Sequence, residues 1–280
     1  MTFDNLEDAA KSLLLTTCEI LNGTCVSYVV AGGWIPVLRG GAAALRHPGT
    51  RDVDILFSDE QDSIVDAAQA LLASGFHPSA KHEFQLLRPI EVANRKFVFN
   101  VDLMHQGEFR GPQDLFADIF DLGIPDAYDP TGKRWLKSIL FSSSAIIFEQ
   151  HLWSPIELEG RNADGASRLI SIPLMDEVGL ILSKVESVRQ PKRPRDAFDI
   201  YFVLSGPSAR VIEAKLRIMC SKFPRVAKRI SELKEWIVES PERFDANVQK
   251  YAVDVNTPSW PVIGALDLIL TPLTMSDGTV

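Results

Sequence analysis

The chain is poor in cysteine, with three among 280 residues. Cys18, Cys25 and Cys220 have an odd count and no zinc-type spacing. That excludes a disulfide scaffold and a structural zinc site, and fits idle thiols in a reducing cytoplasm. Histidine is also scarce, with five residues. His47, His77, His82, His105 and His151 form no H-x-x-x-H pair, and no Ser/His/Asp or Cys/His constellation stands out. The start, MTFDNLEDAA, has no cationic stretch leading into an apolar run, and no segment is long enough to span a bilayer, so no membrane partner is expected. Internal repeats and low-complexity tracts are missing. Positive charge is short overall. The 29 Lys and Arg face 37 Asp and Glu, for a net charge of −8, which excludes a surface coated throughout for nucleic acid.

What is present is an ordinary globular composition: 46% apolar and 24% charged residues. A chain of this size buries roughly 75% of its unfolded surface and needs no covalent staple to fold. The charge is uneven. Between Lys184 and Lys234 there are 13 Lys and Arg against 5 Asp and Glu. Such a stretch reads either as a phosphate- or RNA-facing surface or as the solvated face of helices.

Residues 5–21 carry apolar positions at helical spacing, and Asn22-Gly23 closes that helix. "VSYVVAGG" reads as a buried strand running into two glycines, and "WIPVLRGG" as a short helix. Residues 51–57 form a strand, 61–74 a helix ended by Gly75, and "HEFQLLRPIEV" and "KFVFNVDLMH" two further strands. The middle holds turn signals at Gly107, Gly111-Pro112, Asp129-Pro130 and Thr131-Gly132, and "AIIFE" reads as a strand. From Pro173 onward the pattern is helical, beginning with "PLMDEVGLILSKVESV". The last residues, ending "MSDGTV", read as a frayed end. The expected architecture is α/β: a small mixed sheet flanked by helices over residues 1–165, then a helical domain over 166–280.

Chemistry concentrates in "GTRDVDILF", Gly49 to Phe57. Side chains alternate along a strand, so Asp52 and Asp54 share one face while Val53, Ile55 and Phe57 face a core. In "FVFNVDLM" the same alternation puts Asn100 and Asp102 on a face opposite Phe97, Phe99, Val101 and Leu103. If these strands are neighbours, three carboxylates converge. Like charges that close repel unless a divalent cation lies among them, and carboxylate oxygens are the hard ligands that Mg²⁺ takes. Upstream, Gly32 and Gly33 permit close backbone approach to a ligand between a strand and a helix. Taken together, these features describe a nucleoside triphosphate held by backbone and metal. A half-exposed strand and a tight turn are the plainer readings of the same residues.

The run "VVAGGW…TRDVDILF…FNVDLM" resembles the nucleotidyltransferase superfamily related to DNA polymerase beta. "KVESVRQPKRPRDAFDIYFVL" resembles the AbiEii/AbiGii toxin branch of that superfamily. The resemblance covers roughly residues 28–105 and 173–204. It implies a Mg²⁺-dependent transfer of a nucleoside monophosphate from an NTP to a hydroxyl, with two Mg²⁺ ions. Asp52, Asp54 and Asp102 would be the catalytic metal ligands. Gly32, Gly33, Lys184, Arg193, Arg195, Asp196 and Asp199 would serve the nucleotide. The acceptor would be an RNA end such as tRNA, or a protein, and the chain would be the toxin of a toxin–antitoxin or phage-defence pair, with an antitoxin protein as partner. The "GGW" of aminoglycoside nucleotidyltransferases keeps a small-molecule acceptor open, and a degenerate, non-catalytic binding or regulatory member is the third reading. Eighteen residues separate Gly33 from Asp52, so Gly40–Gly49 reads as a lengthened loop. Each proposed role has a plainer counterpart. Lys184 can lie along an apolar helix face, Arg193 and Arg195 can pair with Asp196 and Asp199, Trp34 can be a buried ring, and Arg51 can offset the acids.

Overall fold

The structure, a computed structural model, describes residues 2–42, 45–58, 61–123, 135–252 and 258–271. The turn signals at Asp129-Pro130 and Thr131-Gly132 and the tail "MSDGTV" lie outside the described residues. The fold is α/β, with a mixed ten-stranded sheet and a helical C-terminal part. The chain divides into two compact units. One comprises Met1–Trp34 and Gly49–Met175, the other Ile35–Pro48 and Asp176–Val280.

The first unit opens with β1 (Thr2–Phe3) and α1 (Leu6–Asn22). Asn5 caps α1 by accepting a hydrogen bond from Asp8 N at 2.8 Å, which satisfies a backbone donor that the first turn leaves free. Leu13, Leu14, Cys18 and Leu21 form its buried stripe. β2 (Tyr28–Ala31) is buried throughout, and Gly32-Gly33 leads into α2 (Trp34–Arg39). β3 (Val53–Phe57), α3 (Gln61–Ala73), β4 (His77–Pro78), β5 (Gln85–Val92) and β6 (Arg95–Gln106) follow. β5 and β6 are joined by Ala93 and Asn94, whose φ angles are 48° and 61°. Two consecutive positive φ values mark the two-residue turn whose twist matches antiparallel strands. It fixes the register Val92↔Arg95, and with it Gln85↔Asp102 at the far end of the hairpin.

Then come β7 (Phe116–Asp121), β8 (Trp135–Phe141), α4 (Ser144–Glu149), β9 (Trp153–Arg161) and β10 (Ser167–Met175). The sheet order is β1-β5-β6-β3-β2-β10-β9, with β4 beside β5, β8 beside β6 and β7 beside β8. "AIIFE", expected as a strand, is instead part of helix α4. A short apolar run fits either state by periodicity alone.

The helical start expected at Pro173 is also corrected. Pro173, Leu174 and Met175 end β10, which pairs with β9 and with β2, so the first unit runs to Met175 rather than to residue 165. Asp176 then caps α5 (Glu177–Lys184), accepting from Gly179 N at 2.8 Å. The second unit continues with α6 (Pro194–Leu204), α7 (Ala209–Lys222), α8 (Pro224–Glu239), α9 (Pro241–Gln249) and α10 (Trp260–Leu270). Leu180, Ile181, Phe198, Leu216, Ile230, Leu233, Phe244 and Leu266 form its core.

The segment expected as a lengthened loop falls to this second unit up to Pro48, and Gly49 to the first. Ala42 N donates to Phe202 O at 2.8 Å, and a Cβ on Gly41 would lie 2.1 Å from the Phe202 ring. Among the described residues no helix is long and apolar enough to cross a membrane.

Candidate active site

β3 and β6 are parallel neighbours, and Asp54 pairs with Asp102 across them. Paired residues present their side chains to one face, so the two carboxylates stand side by side. Val53, Ile55 and Phe57 are fully buried on the other face. Asp52 lies one residue before β3, not within it, and is exposed. Its charge still reaches Asp102. Burial pushes the Asp102 carboxyl up from its ordinary value, hydrogen bonding from Asn100 opposes this, and the Asp52 charge adds to it. Asn100 Nδ2 donates to Asp102 Oδ1 at 2.8 Å, and Gln85, opposite Asp102 on β5, also hydrogen-bonds the carboxylate.

The glycine pair closes on the same acids. Gly32 has φ 69°, a conformation that L side chains rarely adopt. A Cβ placed there would lie 1.7 Å from Asp54 Oδ2. Both backbone and space therefore demand glycine. Trp34 is a buried ring, 3% exposed, which leaves it no face to stack on a nucleobase. Its Nε1 donates to Asp52 O at 3.0 Å, so it pins the backbone beside the first acid. Sequence reasoning missed this link and the amide support from Asn100 and Gln85. Asn100 could have been found, because it sits two residues from Asp102 on the same strand face. Trp34 and Gln85 carry no local signal for these bonds.

The second group of expected residues meets in the helical unit. Lys184 is buried, with Nζ 2.6 Å from Asp196 Oδ1 and 2.8 Å from Asp199 Oδ2. His47 Nε2 is 3.0 Å from Asp199 Oδ1, and Arg195 Nε is 3.7 Å from the same oxygen. Burial alone would raise the Asp199 carboxyl, yet Lys184, His47 and Arg195 hold it at about 2. Burial would likewise lower the Lys184 ammonium, and Asp199 and Asp196 outweigh that and raise it. Lys184 thus serves as counter-ion to two buried acids. Asp196 Oδ2 and Arg195 Nη2 are buried without a hydrogen-bond partner. Arg193, at the start of α6, is exposed. His47 belongs to no histidine motif in the sequence. Only the fold of the 35–48 segment brings it to Asp199.

Asp52, Asp54, Asp102, Gly32 and Gly33 belong to the first unit, and Lys184, Arg193, Arg195, Asp196 and Asp199 to the second. Among the described residues, no group of three or more His, Cys, Asp or Glu side chains is placed to hold a metal ion, so the expected convergence of Asp52, Asp54 and Asp102 reduces to the Asp54–Asp102 pair. The chain matches no known protein family in a scan of family models, and no curated protein matches it.

Proposed function

We propose that the chain is a Mg²⁺-dependent nucleotidyltransferase whose site lies on the β2–β3–β6 face. The observation that carries this reading is the register of Asp54 opposite Asp102 with Gly32 closed against Asp54. Two neighbouring carboxylates repel one another, and a divalent cation between them relieves that repulsion.

Asp54 and Asp102 would hold the divalent ion, with the Asp52 charge nearby. Hard carboxylate oxygens suit Mg²⁺, which keeps much of its shell for water and substrate phosphate, so the chain need not supply a complete cage. When bound, the metal neutralises triphosphate charge and polarises the α-phosphoryl group. Gly32 leaves its space to the Asp54 carboxylate, and Gly33 beside it would let the triphosphate approach the backbone. Asn100 and Gln85 fix the aim of Asp102, and Trp34 fixes the position of Asp52. An acceptor hydroxyl oxygen then attacks the α-phosphorus, the bond to the bridging oxygen breaks, pyrophosphate leaves, and the hydroxyl proton passes to water.

The acceptor is an RNA or protein hydroxyl in this reading, and the toxin role with an antitoxin partner rests on the motif order in "KVESVRQPKRPRDAFDI" alone. The charge cluster around Lys184 supports a structural role for that lysine. The test is incubation of the protein with Mg²⁺, each α-labelled NTP and total RNA. Label on RNA with the native chain, and none with Asp54→Asn, supports the reading. Equal labelling by both overturns it.

A further inference from the structure

The sheet face that carries Asp102 also carries a row of aromatic rings. Ile139 on β8 pairs with Met104 on β6, and Phe116 on β7 pairs with Ile139. Met104 is two residues from Asp102 on one strand, so Asp102, Met104, Ile139 and Phe116 share a face. Phe84 packs on Phe116 with ring centroids 6.0 Å apart and planes 22° apart. His82 packs on Phe84 at 5.6 Å and 38°. Leu103 N donates to Phe84 O at 2.9 Å, which ties this segment to β6 beside the acid. His82 also lies close enough to Asp102 for the two charges to act on each other. The row therefore starts at the carboxylate and runs outward from it.

Two features show what such a row could take. First, the rings are not sealed into the core. Phe116 is 37% exposed and Val98, on the same face of β6, is 64% exposed. Second, the Lys137 ammonium beside the rings is taken up by two carboxylates. Lys137 Nζ lies 3.5 Å from Glu83 and 3.7 Å from Asp118. A phosphate finds no surplus positive charge there, whereas a neutral planar ring finds a surface of matching shape. In the sheet order, β2 with Gly32-Gly33 lies on the β3 side of β6, and β5 and β8 lie on its other side. The rings thus flank Asp102 opposite the glycines.

We propose that His82, Phe84 and Phe116 form the acceptor's stacking platform, holding the nucleobase of an acceptor nucleotide so that its ribose hydroxyl reaches the Asp102 side of the carboxylates. This rests on the nucleotidyl-transfer reading. It goes further by assigning the acceptor as a nucleotide and giving its base a site. Every base has a π-face, so stacking on such rings tolerates sequence, and removing one ring weakens single-strand binding measurably.

The experiment uses the full chain and a short oligoadenylate as probe, with an abasic oligomer of equal length as control. Phe84→Leu and Phe116→Leu keep apolar cover over Met104 and Ile139 but remove a ring, and Phe84→Tyr keeps the ring. Each Leu variant is expected to bind oligoadenylate roughly tenfold more weakly, to raise the acceptor KM by a similar factor, and to leave Mg·ATP affinity unchanged. Phe84→Tyr is expected to behave as the native chain, and the abasic oligomer to bind no better to native protein than to the variants. The proposal is overturned if the Leu variants bind and transfer like the native chain, because the rings are then mere cover. It is also overturned if the loss falls on ATP affinity, because the donor base then occupies the rings. Absence of transfer by the native chain with a ring-dependent loss of oligoadenylate binding would sink the nucleotidyl-transfer reading and leave the platform standing as a base-binding site.

Discussion

At the scale of single residues, Gly32 and Asp54 are one device. Any side chain at Gly32 enters the space of the Asp54 carboxylate, and a φ of 69° adds strain. Gly32→Ala is expected to cost about 1–3 kcal/mol of stability and to abolish Mg²⁺-dependent nucleotide binding, measured by denaturation and calorimetry. The buried cluster of the helical unit is a second residue-scale test. Removing Lys184 strands Asp196 and Asp199, so Lys184→Ala should cost about 3–5 kcal/mol, read by urea denaturation.

Its pH dependence has a defined sign. Asp199 is held at about 2 in the fold, below its ordinary value of about 3.9. The stabilisation is therefore complete above that ordinary value and is lost as pH falls from about 4 toward 2. Lys184 is raised, so its share is present below its ordinary value and lost only in strong alkali. Asp199→Asn should flatten the acid limb of stability against pH. An unchanged acid limb in that variant would show that Asp199 does not carry it.

At the scale of elements, the hairpin β5–β6 sets the site. Ala93 and Asn94 hold positive φ without being glycine, so Ala93→Gly should stabilise the chain by about 1 kcal/mol, seen as a raised denaturation midpoint. The same scale shows what the sequence makes legible. The alternation of Asp54 with Val53 and Ile55 is local, and so is the alternation of Asp102 with Val101 and Leu103. Their faces could be read from a period of two. That β3 and β6 are neighbours, 48 positions apart from Asp54 to Asp102, depends on the whole sheet and is not written in either strand.

The β9–β10 hairpin was hidden for a different reason. Pro155 and Pro173 face each other across it. Each proline alone argues against a strand, yet two directly opposed can share a position where neither needs to donate. The bonds of His47 and Trp34 are not legible in the sequence because their partners, Asp199 and the Asp52 carbonyl, lie 152 and 18 positions away.

At the scale of the whole molecule, two units with different chemistry share one chain. The unit boundary after Met175 makes β10 part of the sheet, so a fragment ending at residue 165 leaves β9 without its partner strand and exposes one edge of β2. That fragment is expected to aggregate, checked by soluble expression and size exclusion. The basic stretch from Lys184 to Lys234 is largely engaged within its own unit. Lys215 pairs with Asp176, Arg229 with Glu186 at 2.8 Å and Lys234 with Asp267 at 2.5 Å. Charge alone is therefore a weaker pointer to RNA than the residue count implies.

The most direct measurement is transfer of α-labelled nucleotide by the full chain in Mg²⁺, run beside Asp54→Asn and Asp102→Asn proteins whose circular dichroism matches the native chain. Label incorporation by the native chain is expected, with a loss of roughly 10²-fold or more in each variant. Incorporation that survives both substitutions, or its absence in the native chain with every NTP and with RNA, protein and small-molecule acceptors, would contradict a carboxylate-held transferase site.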